Sequence, residues 1–256
     1  MSTLSLHSAN LATSKQPNSF LVEDPLVIIL LGPPGSGKGT HAGPLSAHFS
    51  LPHISTGDLF RFHMNENTDL GKKVRAYINR GALVPDELVL GMLFERLQQE
   101  DCNNGYILDG FPRSIAQAKI LEQNIQEQAL FVAIHLDVSD EIIIERILGR
   151  LLCQDCQRSF HRVFCPPTKE GICDSCGGTL AQRSDDNRET IAKRLSAYHQ
   201  EIAPILSFYR AKGLLRRISA ASRKQEIFAT TLTTIERFVA SKKQVKEEAV
   251  KKRVRA

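Results

Sequence analysis

The chain has 256 residues, 42% hydrophobic and 24% charged, which suits one sizeable core with insertions and excludes a chain disordered throughout. Its net charge of +5 resides in residues 241–256, SKKQVKEEAVKKRVRA, where seven Lys or Arg face two Glu; elsewhere 26 basic residues balance 26 acidic ones. A neutral body points to no nucleic-acid partner, and the longest wholly apolar run, in PLVIILLG, is far too short to span a bilayer.

Residues 1–25 are rich in Ser and Asn, with Lys15 the one basic side chain, no arginine and no long apolar stretch. A disordered extension is expected there, with a weak targeting segment as the alternative. Leu26 to Leu31 is a continuous aliphatic run that ends at a glycine loop, the pattern of a parallel strand buried on both faces. A helix should follow from Lys38 to His48. Further strands are expected at YILD (106–109), FVAIHL (131–136) and LLRRIS (214–219), and helices at 87–99, 115–128 and 186–212. In the last of these Ile191, Leu195, Tyr198, Ile202, Ile205, Leu206 and Tyr209 recur at helical spacing. Alternating strands and helices imply an α/β fold, a parallel sheet with helices on both faces. Two stretches break the alternation: 55–84 is polar and helical, and 151–184 is rich in Cys, Gly and Pro. Neither supplies a core strand, so both are predicted to be insertions.

The glycine loop, LLGPPGSGKGTH (30–41), matches a phosphate-binding loop at Gly32, Gly37 and Lys38. Gly35, Gly37 and Gly39 let successive N–H groups turn inward around Ser36, so the loop and the following helix N-terminus can cradle phosphate oxygens beside the Lys38 ammonium. Gly39 stands where the strict pattern has a hydroxyl, and Thr40 comes one place later. Mg²⁺ would then be held mainly by nucleotide oxygens and water, which favours a kinase of small substrates over a switch-type GTPase.

CQDC at 153–156 and CDSC at 173–176 have the paired spacing of a zinc ribbon. Cys153, Cys156, Cys173 and Cys176 would fill all four positions of a tetrahedral Zn²⁺, leaving none for water, so the metal would be structural. Two disulfides or a redox dithiol are the alternatives, and a reducing cytoplasmic setting disfavours them. Cys102 and Cys165 fall outside the spacing, and His161 is expected to pack or lie on the surface.

GPPGSGKGT, ISTGDLFR (54–61), GALVPDELV (81–89), LDGFPRS (108–114) and QRSDDNRETIAKRL (182–195) together resemble the adenylate kinase family in order and spacing, over roughly residues 26–240. The family's own loop reads Gly-Lys-Gly-Thr, so the loop here is intact by that standard. The resemblance implies a nucleoside-kinase core, a nucleoside-monophosphate-binding insertion at 55–84 and a lid at 150–187 that binds Zn²⁺ as in many bacterial members; the basic tail at 241–256 lies beyond it and is expected to be a solvated helix end, with transient contact with RNA or anionic lipid as the alternative. The implied reaction is Mg·ATP plus AMP giving two ADP, which serves adenine nucleotide homeostasis. A cytoplasmic monomer is implied, without nucleic-acid or membrane partners.

By similarity, Thr56, Arg61, the backbone of Ala82, Leu83 and Val84, the Gly110, Phe111, Pro112 and Arg113 turn, and Gln117 would hold AMP, with Gln117 reading the adenine edge. Arg183 and Arg194 would bridge both phosphate chains. Arg146, Arg150, Ser159 and Phe160 would face ATP together with the loop, and Asp109 would orient Mg²⁺ through water. Phosphoryl transfer calls for such a gathering of guanidiniums around spread negative charge, and an acceptor that is already a phosphate anion needs no general base. Two departures stand out: Leu151 follows Arg150 where the family usually has a second arginine, and SAASRKQ (219–225) replaces a Gly-containing loop. They predict weaker lid contacts and a less strict donor choice. A CMP, UMP or GMP kinase is the nearest alternative; a zinc-ribbon nucleic-acid-binding protein on a vestigial nucleotide fold is a remote one.

Overall fold

The computed structural model describes residues 24–125 and 129–254. The extension expected at 1–25 thus falls almost wholly outside the described residues, as do the last positions of the helix predicted at 115–128 and the last two residues of the basic tail.

Strand β1 (Leu26–Leu31) is buried at every position, as its uninterrupted aliphatic run requires. It leads into α1 (Lys38–Phe49), then β2 (His53–Ser55), α2 (Thr56–Asn65), α3 (Asp69–Asn79) and α4 (Asp86–Leu97). After a single 3-10 turn come β3 (Gly105–Asp109), α5 (Ile115–Asn124), β4 (Leu130–Asp137) and α6 (Asp140–Leu148). The five strands β2, β3, β1, β4 and β8 (Leu215–Ser219) form one sheet in that order, every pairing parallel. Between α6 and α7 (Arg188–Ala211) the chain builds a separate antiparallel sheet, β6 (Ser159–His161), β5 (Arg150–Cys153) and β7 (Leu180–Ala181).

Because side chains alternate along each strand, the main sheet has two apolar faces. Val27, Ile29, Leu31, Phe131 and Ala133 pack against Leu93 of α4, Leu121 of α5 and Ile205 and Tyr209 of α7. Leu26, Ile28, Leu30, Val132 and Ile134 pack against Leu45 of α1 and against Ile235 and Phe238 of α8 (Lys224–Val254). This is the two-sided α/β arrangement that the alternation predicts.

One element differs from the sequence reading. The three-residue β2 has no periodicity of its own and becomes a strand by pairing His53, Ile54 and Ser55 with Ile107, Leu108 and Asp109. The basic stretch continues α8 through residue 241, and within it Lys246 donates to Asp24 at 2.7 Å. Among the described residues no helix is long and apolar enough to cross a membrane.

Candidate active site

The carboxyl ends of β1, β2 and β3 meet beneath the glycine loop. Gly35 and Gly37 adopt φ of 81° and 99°, conformations that a side chain would strain, and Gly37 caps α1. Lys38 folds back over the loop and donates to the carbonyls of Gly32 and Pro33, each at 2.8 Å. Burial lowers its pKa to about 8; Asp109 pulls the other way, while Arg113 and Arg150 add to the lowering. Ser36 is fully buried and its hydroxyl has no partner among the described residues. A bare beta carbon at Gly39 would lie 3.4 Å from Asp109 Oδ2, so the substitution of Gly for the usual hydroxyl gives the loop close approach to that carboxylate.

The chain beyond β3 supplies the second wall. Gly110 turns at φ 81°, and its carbonyl accepts from Thr56 Oγ1 at 3.0 Å and from Arg113 Nε at 2.7 Å, across a cis Phe111–Pro112 bond. Ser114 caps α5 by accepting from the Gln117 amide N–H. Gln117 is buried, its Oε1 accepting from Arg113 N at 2.7 Å and its Nε2 donating to Asp86 Oδ1 at 2.6 Å. Asp86, at the start of α4, also accepts from Ser114 Oγ. A beta carbon at Gly81, where φ is 70°, would meet Thr190 at 3.1 Å and Arg194 Cγ at 3.2 Å, so the chain just before Ala82, Leu83 and Val84 passes close to α7.

Arginines from five places converge on this cleft. Arg113 keeps accessible surface on it, yet the surrounding protein and then Arg194 lower its pKa, with Arg61 adding and Asp109 opposing. Arg183 is lowered to about 10, first by burial and then by Arg61 and Arg150, with Asp58 and Asp186 opposing. Carboxylates hold these cations apart. Asp58 accepts from Arg61 Nε at 3.1 Å and lies 3.7 Å from Arg183; Asp186 accepts from Arg150 Nε at 2.8 Å; Asp185 pairs with Arg194. Burial would raise Asp58 and Asp185, but their arginines outweigh it and hold both low. The buried Arg183 Nε has no acceptor among the described residues. Lys38 and Arg61, Arg113, Arg150, Arg183 and Arg194 thus form one positive basin, suited to phosphate oxygens.

Arg146, on α6, lies near the buried His41 of α1: burial, then Lys224, then Arg146 lower that histidine to about 4. Ser159 is exposed on β6, while Phe160 packs inside the small sheet with Cys153, Cys173 and Leu180. Leu151, in place of a family arginine, packs against that same cluster. His161 accepts from the N–H of Val163 and Phe164 at 3.0 Å and stacks on Phe164, which is a structural role. Four acidic residues of the site, Asp58, Asp86, Asp185 and Asp186, carry no assignment from the sequence; the Asp-Asp pair between Arg183 and Arg194 is the signal that could have exposed two of them.

In the small sheet, the sulfurs of Cys153, Cys156, Cys173 and Cys176 all lie within 4.8 Å of one another, with 3.4 Å between Cys153 and Cys176 and 3.6 Å between Cys156 and Cys173. Ligands about 2.3 Å from a tetrahedral Zn²⁺ sit roughly 3.8 Å apart, so the four thiols fit that ion. Desolvation opposes ionisation of Cys173, but the N–H groups of Ser175 and Cys176 outweigh it and lower that thiol to about 7.

The sequence model of the adenylate kinase family matches residues 30–214. Curated relatives named adenylate kinase include that of Caldicellulosiruptor bescii, 50% identical over 206 residues, which cover 80% of this chain and 94% of the relative. That of Lachnoclostridium phytofermentans is 47% identical over 203 residues, 78% of this chain and 94% of the relative. That of Syntrophomonas wolfei is 46% identical over 204 residues, 79% of this chain and 95% of the relative.

Proposed function

The chain belongs to the adenylate kinase family and catalyses ATP + AMP = 2 ADP, and from that premise we propose which of its residues carry the reaction. The observation that carries the assignment is the basin of Lys38 and five arginines, each within electrostatic reach of others, beside a glycine loop with an unpartnered Ser36 hydroxyl.

The loop from Gly35 to Thr40 takes the donor phosphates. Thr56, Arg61, residues 82–84, the Gly110 to Arg113 turn and Gln117 take AMP, with the Gln117 amide steered by Asp86. An oxygen of the AMP phosphate attacks the γ-phosphorus of ATP, the bond from that phosphorus to the β-phosphate bridging oxygen breaks, and ADP leaves from each side. Six negative charges enter and six leave, so no proton need be moved. What the site must supply is in-line placement and compensation of charge on the transferring group, and Lys38, Arg113, Arg150, Arg183 and Arg194 are placed to supply both. Asp58, Asp185 and Asp186 compensate these guanidiniums, and bound phosphate oxygens would take over part of that role. Asp109, at the end of β3, would orient Mg²⁺ through water, and Mg²⁺ would screen the β- and γ-oxygens. Arg146, Ser159 and Phe160 stay assigned to the donor side on family likeness alone.

We assign residues 55–84 to acceptor binding and 150–187 to a lid that covers ATP and excludes water. The Asp58 to Arg183 contact joins those two parts. The four thiols would hold a structural Zn²⁺, whose fourfold ligation compensates for the lid's scant apolar core. A cytoplasmic monomer without nucleic-acid or membrane partners is the reading most in keeping with the neutral body and free cysteines.

The test is ADP formation from Mg·ATP with AMP, CMP, UMP or GMP, alongside Lys38→Ala and Arg113→Ala. Turnover with AMP alone, lost in both variants, supports the assignment. Full activity in either variant overturns that residue's role, and preference for another monophosphate overturns the role given to Gln117.

A further inference from the structure

On the face of the main sheet that α7 covers, a cavity of about 260 Å³ opens between α7, β4 and β8. Its residues are separate from the positive basin; the nearest approach to the nucleotide site is Pro33, which forms part of the cavity wall and whose carbonyl holds Lys38 on its other side. Val138, Ile202, Leu206 and Leu215 give the rest of an apolar lining.

Two guanidiniums line this cavity, and one of them has no carboxylate partner among the described residues. Arg217 donates to Asp137 at 2.6 Å, and His199 lies 3.0 Å from Asp140. The Arg210 guanidinium, by contrast, has no ion pair or side-chain hydrogen bond among the described residues, although it stands close enough to His135 to act on it. His135 is buried beneath the cavity, its Nε2 bonded to Tyr198 at 2.9 Å and its Nδ1 without a partner. Burial, and then Arg217, Lys38 and Arg210 against Asp137, keep its ring neutral, so it adds no charge of its own.

We propose that this cavity binds a small organic monocarboxylate, its carboxylate paired with Arg210 and its apolar body against Ile202, Leu206 and Leu215. One free guanidinium matches one negative charge and offers a planar fork that suits a carboxylate. A dianion would be overcharged for the site, and an ion without an apolar body would leave the lining unused. The volume lies below the roughly 300–1,000 Å³ usual for drug-sized ligands, which limits the occupant to a small one.

Benzoate is a suitable probe, with benzyl alcohol as its uncharged counterpart and inorganic phosphate as an anion without an apolar body. Ring resonances of His135 in the full chain, assigned against His135→Gln, report occupancy. Benzoate should shift them saturably, benzyl alcohol and phosphate much less, and saturating nucleotide should leave the benzoate response in place. Arg210→Met should weaken benzoate roughly tenfold or more, the usual loss of a charge-assisted pair, while Lys193→Met, a charge removed elsewhere on α7, should not. No saturable shift, an equal response to benzyl alcohol or phosphate, unchanged affinity in Arg210→Met, or loss of the response with nucleotide would each overturn the proposal.

Discussion

The carboxylate of Asp186 receives both Nε and Nη2 of Arg150, Nε at 2.8 Å, and its side chain has no accessible surface. Its neighbour Asp185 accepts from Arg194 through Nη2 alone. Two adjacent carboxylates, in the loop that Asn187 ends by capping α7, therefore aim two guanidiniums from different elements at one cleft. A fork held at two points keeps its plane, which matters where phosphate oxygens must be met in fixed directions.

Removing the acid should strand the guanidinium. Asp186→Ala is expected to lose about 3 kcal/mol of stability, as breaking a buried pair commonly does, and to slow turnover because Arg150 is no longer aimed. Denaturant titration and steady-state kinetics check both. Arg150→Lys keeps the charge without the fork; turnover reduced about tenfold with stability changed by less than about 1 kcal/mol would assign the effect to geometry. Unaltered turnover in both variants would show that the pair is only structural.

Lys38 gives a signed pH effect. Its folded pKa of about 8 lies below the ordinary lysine value of 10.5, so the cost of holding it charged in the ligand-free fold is present below about pH 8 and is relieved as pH rises toward 10.5. Ligand-free stability should therefore gain from this group across that window. Phosphate binding recharges the amine, so Mg·ATP affinity should fall above pH 8 with uptake of a proton. Calorimetry at pH 9 in buffers of different ionisation enthalpy should show that uptake in the wild type and not in Lys38→Met; equal uptake in both would reject the assignment.

Asp86 reaches the acceptor site through Gln117, whose amide it orients at 2.6 Å. Asp86→Ala should raise KM for AMP about tenfold, a loss of about 1.4 kcal/mol, and leave KM for ATP within about twofold. A parallel rise of both constants would mean that the substitution had disturbed the core instead of the acceptor pocket.

The four-thiol cluster predicts a metal-dependent lid. Replacing Cys153 and Cys156 by Ser should remove one Zn²⁺ per chain and lower the melting temperature, while turnover at low temperature falls less. Chelation of the wild type should reproduce the shift. Zinc content and melting temperature unchanged by the double substitution would show that these sulfurs hold no structural metal.

Much of the core was readable because local physics constrains it. A strand buried on both faces needs an aliphatic run such as Leu26–Leu31, and a loop that turns its N–H groups inward needs glycine where φ is positive, as at Gly35 and Gly37. The two cysteine pairs are likewise local, each on its own tight turn. β2 was not readable, since three residues hold no period and the strand exists only through its pairing with β3.

By itself the sequence determined the α/β class, the phosphate loop and the paired thiols, for each is written in spacing along the chain, while the candidate arginines came from its resemblance to the adenylate kinase family. Only the tertiary structure decided that Asp58 meets Arg61 and Arg183, that Asp186 clasps Arg150, and that Asp86 steers Gln117. A periodicity tells which face of a helix is buried, but a salt bridge joins residues from different elements. Its partners are chosen by how the sheet and helices pack.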